Sequence, residues 1–182
     1  MTTIFLVRHG RAASSFDTHV DPGLDDTGLS QAHAAARFLA RFGPMPIYSS
    51  PLARARETAS PLAVRWGIEP TIEPRVAEIP SPTADLSARG QWLAQAMQGR
   101  WRDLSSELGV WRASLVDCLL ALREDSVVVC HFVAINVAVG AAREDDRMVH
   151  FRPGYCSVTR IAVADGRLRV IELGREAATT VG

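Results

Sequence analysis

The chain has 182 residues, 47% of them hydrophobic, and its 20 basic and 20 acidic side chains give a formal net charge of +0. That length and apolar content suit one globular domain over residues 1–182 with a buried core, and zero net charge excludes a global pull toward nucleic acid or an anionic membrane, so any anion site must be local. All 20 basic residues are Arg, which excludes lysine chemistry such as a Schiff base or a P-loop, but suits phosphate, whose oxygens the planar guanidinium grips in a bidentate fork.

The apolar run Ile4-Phe5-Leu6-Val7 predicts a buried strand that closes on Arg8-His9-Gly10. A cation, an imidazole and a glycine then stand at a strand's carboxyl end, where open α/β sheets bind ligands. Residues 11–23 are polar and irregular and predict a loop. Asp25 can cap a helix in which Ala32, Ala35, Ala36, Leu39 and Phe42 keep helical spacing until Gly43-Pro44. A short strand is expected over Pro46 to Ser49. Ser50 then reads as an N-cap with Pro51 at the first helical position, and Leu52, Ala55, Ala59, Leu62 and Trp66 form an apolar face ending at Gly67. That puts Arg54 in the first turn, aimed at the same crevice as His9.

A short strand is expected around Thr71-Ile72-Glu73, then an irregular segment from Ala77 to Arg89 with Glu78 at its mouth. Helices follow at about 86 to 99 and 105 to 123, the second with Leu108, Trp111, Leu115, Cys118, Leu119 and Leu122 on one face. Val127 to Cys130 predicts a buried strand ending at His131, and Val133 to Ala142 a helix. The chain closes with a hairpin: Cys156 to Ala164, an Asp165-Gly166 turn, and Arg167 to Leu173. Strands alternating with helices predict a three-layer α/β fold, a mostly parallel sheet flanked by helices, with the hairpin as an antiparallel edge.

Three cysteines, Cys118, Cys130 and Cys156, are an odd number without metal or redox spacing, so a reduced, cytoplasmic protein is expected. Cys130 reads as a small buried hydrophobe facing away from His131. The amino terminus shows neither a basic n-region nor a cleavage site, so no signal peptide is expected. The stretch Val127 to Ala142 is too short to span a bilayer and carries His131 and Asn136. His19, His33 and His150 have no mutual spacing that suggests a metal.

The sequence resembles the histidine phosphatase superfamily, also called phosphoglycerate mutase-like. The resemblance is carried by Leu6-Val7-Arg8-His9-Gly10, by Leu24, Gly28 and Gln31-Ala32, by Ser49-Ser50-Pro51-Leu52-Ala53-Arg54-Ala55-Arg56-Glu57-Thr58-Ala59, by Glu78, and by Val128-Val129-Cys130-His131, in that order along the chain. It implies the phosphoglycerate mutase-like fold and a metal-independent phosphomonoesterase, an acid phosphatase-like hydrolase working without a cofactor through a phosphohistidine on His9. Arg8, Arg54 and His131 would surround the phosphoryl oxygens, and Glu78 would serve as proton donor and acceptor. From the residues alone Glu73 and Asp85 are alternatives for that acid, and the family's placement selects Glu78. Ser15 would reach the phosphate from the loop after Arg-His-Gly. Many members carry Gly-Gly after the second histidine; here Phe132-Val133 follows His131, and the Phe132 ring would narrow the substrate mouth.

Arg11 stands where the mutases carry Glu, and no long basic insertion is present, so phosphatase is favoured over mutase activity. A non-catalytic module binding a phosphorylated ligand is the rival from another class. Expected partners are a small phosphorylated molecule or a phosphoprotein, with no nucleic acid or membrane. The segment Ile79 to Trp101 is expected to cover the pocket.

Overall fold

The computed structural model describes residues 1–14 and 19–177; Ser15 lies outside the described residues. Six strands form one sheet in the order β3-β2-β4-β1-β5-β6. They are β1 (Thr2–Arg8), β2 (Ile47–Ser49), β3 (Thr71–Ile72), β4 (Ser126–Cys130), β5 (Val158–Ala164) and β6 (Arg167–Glu172). β1, β4, β2 and β3 run parallel, whereas β5 lies antiparallel to β1 and β6 to β5. The helices are α1 (Asp26–Leu39), α2 (Ala53–Trp66), α3 (Leu86–Ala96), α4 (Ser106–Ala121) and α5 (Phe132–Arg143). This is the expected three-layer arrangement with an antiparallel edge.

Alternation along the central strands separates two cores. Phe5, Val7, Val127 and Val129 face α1 and α2, where they meet Ala36, Leu39, Ala55, Ala59 and Leu62. Ile4, Leu6, Val128 and Cys130 face the other way, against Leu115 and Leu119 of α4 and the apolar side of α5. A strand buried on both faces must be apolar at every position, which is why β4 reads Val-Val-Val rather than alternating. Cys130 is accordingly a buried small hydrophobe.

The chain leaves β1 toward α1 on one face and leaves the adjacent β4 toward α5 on the other. Arg8 is in register with Cys130, so the first residues beyond the two strands, His9 and His131, emerge side by side at this divergence, the usual crevice of an open α/β sheet.

Four local expectations need correction. Ser50 does not cap α2: the N-cap position is Leu52, without a side-chain cap, and Pro51 precedes it. The Ser50 hydroxyl accepts from Leu52 N–H, ahead of the helix, at 3.3 Å and meets His131 Nε2 at 2.8 Å. α1 ends at Leu39, leaving Phe42 beyond the helix and 42% exposed; its ring lies tilted against those of Phe5 and Phe38. Phe132 begins α5 one residue earlier than the apolar pattern indicates, with His131 as its N-cap residue. Cys156 precedes β5 in the left-handed region at φ 53, because the chain turns there to give its N–H to the Arg8 carbonyl. Asp25 does cap α1, accepting from Gly28 N–H, and Asp165-Gly166, both with positive φ, make the two-residue turn of the β5-β6 hairpin.

Candidate active site

His9 follows β1 directly. Its backbone N–H donates to Cys130 carbonyl at 3.0 Å, and its ring is 6% exposed. His9 Nδ1 lies 2.7 Å from the Gly10 carbonyl oxygen. A carbonyl only accepts, so Nδ1 carries the hydrogen and Nε2 holds the lone pair. Arg54 Nε–H points at that lone pair from 3.3 Å. Burial first, then the Arg54 charge, push the His9 pKa down to about 3, so the imidazole is neutral at physiological pH.

Close packing holds this loop. Gly10 N–H donates to Thr58 Oγ1 at 2.9 Å, and that hydroxyl donates to the Arg54 carbonyl at 2.6 Å. One threonine of α2 thus ties the backbone beside His9 to that of Arg54. A Cβ on Gly10 would sit 2.7 Å from the Gly28 carbonyl oxygen, and one on Gly28 only 2.1 Å from the Arg11 carbonyl oxygen. Both positions therefore need glycine for lack of space. Glu57, one residue before Thr58, accepts from Leu24 N–H at 2.6 Å and fixes the far end of the same loop.

Arg54 is 4% exposed. Its Nη2 lies 3.4 Å from His131 Nδ1 and 3.9 Å from Glu78 Oε2. His131 is fully buried; its Nε2 lies 2.8 Å from Ser50 Oγ and its Nδ1 3.6 Å from Glu78 Oε2. The ring centroids of His9 and His131 are 5.2 Å apart. Burial, then the neighbouring His9 and Arg54, hold the His131 pKa well below the ordinary histidine value. Glu78 moves the opposite way: burial raises its pKa, against the opposing pull of Arg54. Its Oε1 accepts from Ile79 N–H at 3.0 Å.

Arg8 completes the cluster. Its Nη1 donates to the Pro153 carbonyl at 2.8 Å, and its guanidinium carbon lies 4.1 Å from the Tyr155 ring centroid and 5.4 Å from that of Phe132. The cation is thereby held between two aromatic rings, with a buried Nε that has no partner. Arg8, His9, Arg54, Glu78 and Phe132 line one cavity of about 610 Å³, and His131 lies directly behind it. Glu73 and Asp85, the alternative acids, are engaged elsewhere, with Arg75 and with the N-terminus of α3. Arg11 binds Asp25 and Thr27 and is half exposed.

Three participants carry no signal in the sequence that singles them out for this site. Tyr155 sits on Arg8, with its ring centroid 6.0 Å from that of His9; it lies in an irregular segment before the hairpin, where no periodicity marks it. Ser50 has the sequence signature of a helix cap. Thr58 falls inside the motif of α2, and only its placement one turn after Arg54 hints at a role. Chemically, two permanent cations and two neutral imidazoles around one cavity, beside a carboxyl whose pKa burial raises, suit a tetrahedral dianion whose leaving group must be protonated.

Among the described residues no helix is long and apolar enough to cross a membrane. The family model for the histidine phosphatase superfamily (branch 1) matches residues 4–176. The chain is 34% identical over 110 residues to a glucosyl-3-phosphoglycerate phosphatase of Mycolicibacterium vanbaalenii, covering 54% of this chain and 49% of that protein. It is 27% identical over 184 residues to a probable phosphoglycerate mutase, GpmB, of Yersinia pestis, covering 88% and 85%. It spans only 14% of a PE-PGRS family protein of Mycobacterium tuberculosis, to which 82 residues are 44% identical. Among solved structures, the phosphoserine phosphatase of Entamoeba histolytica in complex with 3-phosphoglyceric acid superposes with a TM-score of 0.77 at 22% identity, over 96% of this chain and 98% of that one; this likeness is one of fold. The motifs, the sheet order and a family match across nearly the whole chain agree: this protein belongs to the histidine phosphatase superfamily, branch 1.

Proposed function

We propose that the protein is a metal-independent phosphatase that hydrolyses phosphomonoesters in two steps through His9. The observation that carries this reading is the state of His9: a buried imidazole, neutral, with Nδ1–H fixed on the Gly10 carbonyl and its Nε2 lone pair facing Arg54 at the cavity floor. Uncatalysed phosphate-monoester hydrolysis is among the slowest biological reactions, so the site must lower the barrier by much more than a single interaction supplies. In the first step Nε2 forms a bond to phosphorus while the bond from phosphorus to the ester oxygen breaks. Glu78, whose protonated form is favoured by burial, gives its proton to the departing oxygen and the alcohol leaves. In the second step water attacks the phosphohistidine, Glu78 takes the water proton, and phosphate is released with Nε2 regenerated.

Arg8 and Arg54 stabilise the charge on the transferring phosphoryl group without having to reorganise. The arriving dianion raises the proton affinity of His131, so that Nδ1, turning from Arg54, can donate to a phosphoryl oxygen while Ser50 holds the ring at Nε2. Phe132 bounds the mouth from the start of α5.

Rapid quench with a labelled phosphomonoester is expected to trap acid-labile phosphate on the protein. His9→Ala should lose the label and slow turnover by about 10³-fold or more. Full turnover in that variant would overturn the reading. Phosphate release at background, with inorganic phosphate still raising the melting temperature, would instead identify a binding module. Isomerised ester with little free phosphate would identify the phosphoryl transfer suggested by the likeness to the probable mutase.

A further inference from the structure

The cavity of about 610 Å³ is far larger than a phosphate needs and falls in the range that encloses most of a drug-sized ligand. Its floor is the charged cluster described above. Its walls are different in kind. Leu93 of α3, Met97 at the C-cap of that helix and Phe132 at the start of α5 line the cavity, together with Ala12, Ala13 and Pro22 from the segment before α1. Among the described residues, the polar side chains lining the cavity away from the floor are Ser14 and Arg152, and Arg152 is exposed. Tyr155 is committed to Arg8, against which its ring lies.

A sugar or polyol bound here would leave its hydroxyls facing methyl, methylene and aromatic groups, and every hydroxyl taken from water without a partner opposes binding. An alkyl or aryl group would lose only unfavourable contact with water. We infer that the preferred substrates of this site are phosphomonoesters whose alcohol portion is apolar, and that Leu93 and Met97 set this preference. The inference rests on the phosphatase reading. It also explains the segment 79–101, in which α3 supplies the apolar wall.

The test compares kcat/KM for three primary alkyl esters on the purified protein. Methyl phosphate probes the floor alone. Cyclohexylmethyl phosphate and glucose 6-phosphate match in ring size and attachment, and differ chiefly in hydroxyl groups and the ring oxygen. The expected result is a preference of tenfold or more for the carbocycle over the sugar, within the roughly 10²-fold range that an apolar pocket achieves against a hydroxylated isostere. Leu93→Asn and Met97→Gln are each expected to reduce that ratio at least threefold; being a ratio, it does not depend on how much of a variant is folded. Equal or better hydrolysis of glucose 6-phosphate, with methyl phosphate also cleaved, would overturn the inference and leave the phosphatase reading standing. An unchanged ratio in both variants would overturn the assignment to α3. Failure to release phosphate from all three esters would overturn the phosphatase reading and the inference together.

Discussion

Glu78 and His9 sit within the same cluster, and burial drives each to its uncharged form by opposite routes. Burial raises the pKa of the carboxyl because an ionised group would lose its water, and lowers that of the imidazole for the same reason, aided by Arg54. Under the proposed mechanism these are the states the first step requires: His9 must be deprotonated and Glu78 protonated. Wherever the protein stays folded on the acid side, His9 is therefore expected to cause no loss of activity, its protonation lying near pH 3, and activity is expected to fall on the alkaline side as Glu78 ionises. Glu78→Gln is expected to slow esters of poor leaving groups by about 10²- to 10⁴-fold, to affect an activated aryl phosphate much less, and to remove the alkaline fall for the aryl substrate. The substrate's own ionisation, near pH 6, is common to both proteins and cancels in the comparison. Equal losses on the two ester classes would assign the proton transfer to another group. At this scale, His9, Arg54 and His131 were legible because each is tied to a motif or to the end of an apolar run, whereas Glu78 was separated from Glu73 and Asp85 only by the family resemblance. Tyr155 and Ser50 were not legible, since their roles come from contacts across the sheet crevice that leave no local pattern.

The helices are placed by caps and close contacts as much as by apolar faces. Asp25 accepts from Gly28 N–H at 2.7 Å and begins α1, while Gly67, at φ 65, ends α2 in the left-handed region. Asp25→Ala is expected to cost about 1 kcal/mol of stability, as read by urea denaturation, with little change in activity. Gly28→Ala differs in kind, because the new methyl group would meet the Arg11 carbonyl and displace the loop that carries His9 and Gly10. Stability and kcat/KM are expected to fall together in that variant, and a normal kcat/KM would mean that the loop yields without moving His9. Elements with long apolar periodicity, such as α4, were legible almost to the residue. The start of α2 was not: Ser50-Pro51 has the chemistry of a helix start, yet the demand of buried His131 for a hydroxyl partner took precedence over capping. The end of α1 departs from its apolar spacing for a related reason, since Phe42 finds its apolar partners in Phe5 and Phe38 after the helix has stopped.

Across the molecule, three imidazoles are withdrawn from solvent: His9, His131 and the ring of His150, which lies beside Gly140 and has no hydrogen-bond partner for either nitrogen. Burial lowers the pKa of each. A group whose folded pKa lies below its unfolded value gives stability that is present above the unfolded pKa, about 6.5 for His, and is lost as pH falls below it. The unfolded chain then takes up protons that the native state refuses, at about 1.4 kcal/mol per pH unit for each fully refusing histidine. Glu78, with its raised pKa, acts in the opposite sense, but it is one group against three. The melting temperature is therefore expected to drop steeply between about pH 6.5 and 4. A flat profile over that interval would mean that these rings are protonated in the native state. The sheet itself was legible from alternating strands and helices, and its switch point from the two histidine-ending strands; α3 was legible as a helix at about 86 to 99, but nothing in its spacing marked Leu93 as a residue that lines the cavity.

The cluster at the switch point carries two fixed positive charges, Arg8 and Arg54, around His9, His131 and Glu78, whose pKa values burial shifts toward the uncharged forms. A doubly negative ester entering it would offset the two guanidiniums, and the proton it draws to His131 would leave the local sum positive. The alcohol departs neutral, so its exit leaves that sum unchanged, yet one negative charge has passed from the phosphoryl group to Glu78. A carboxylate shut away from water holds a proton more avidly than one at the surface, and this one would stand beside the phosphorus that water must attack. The first half-reaction would thus manufacture the very base that the second consumes.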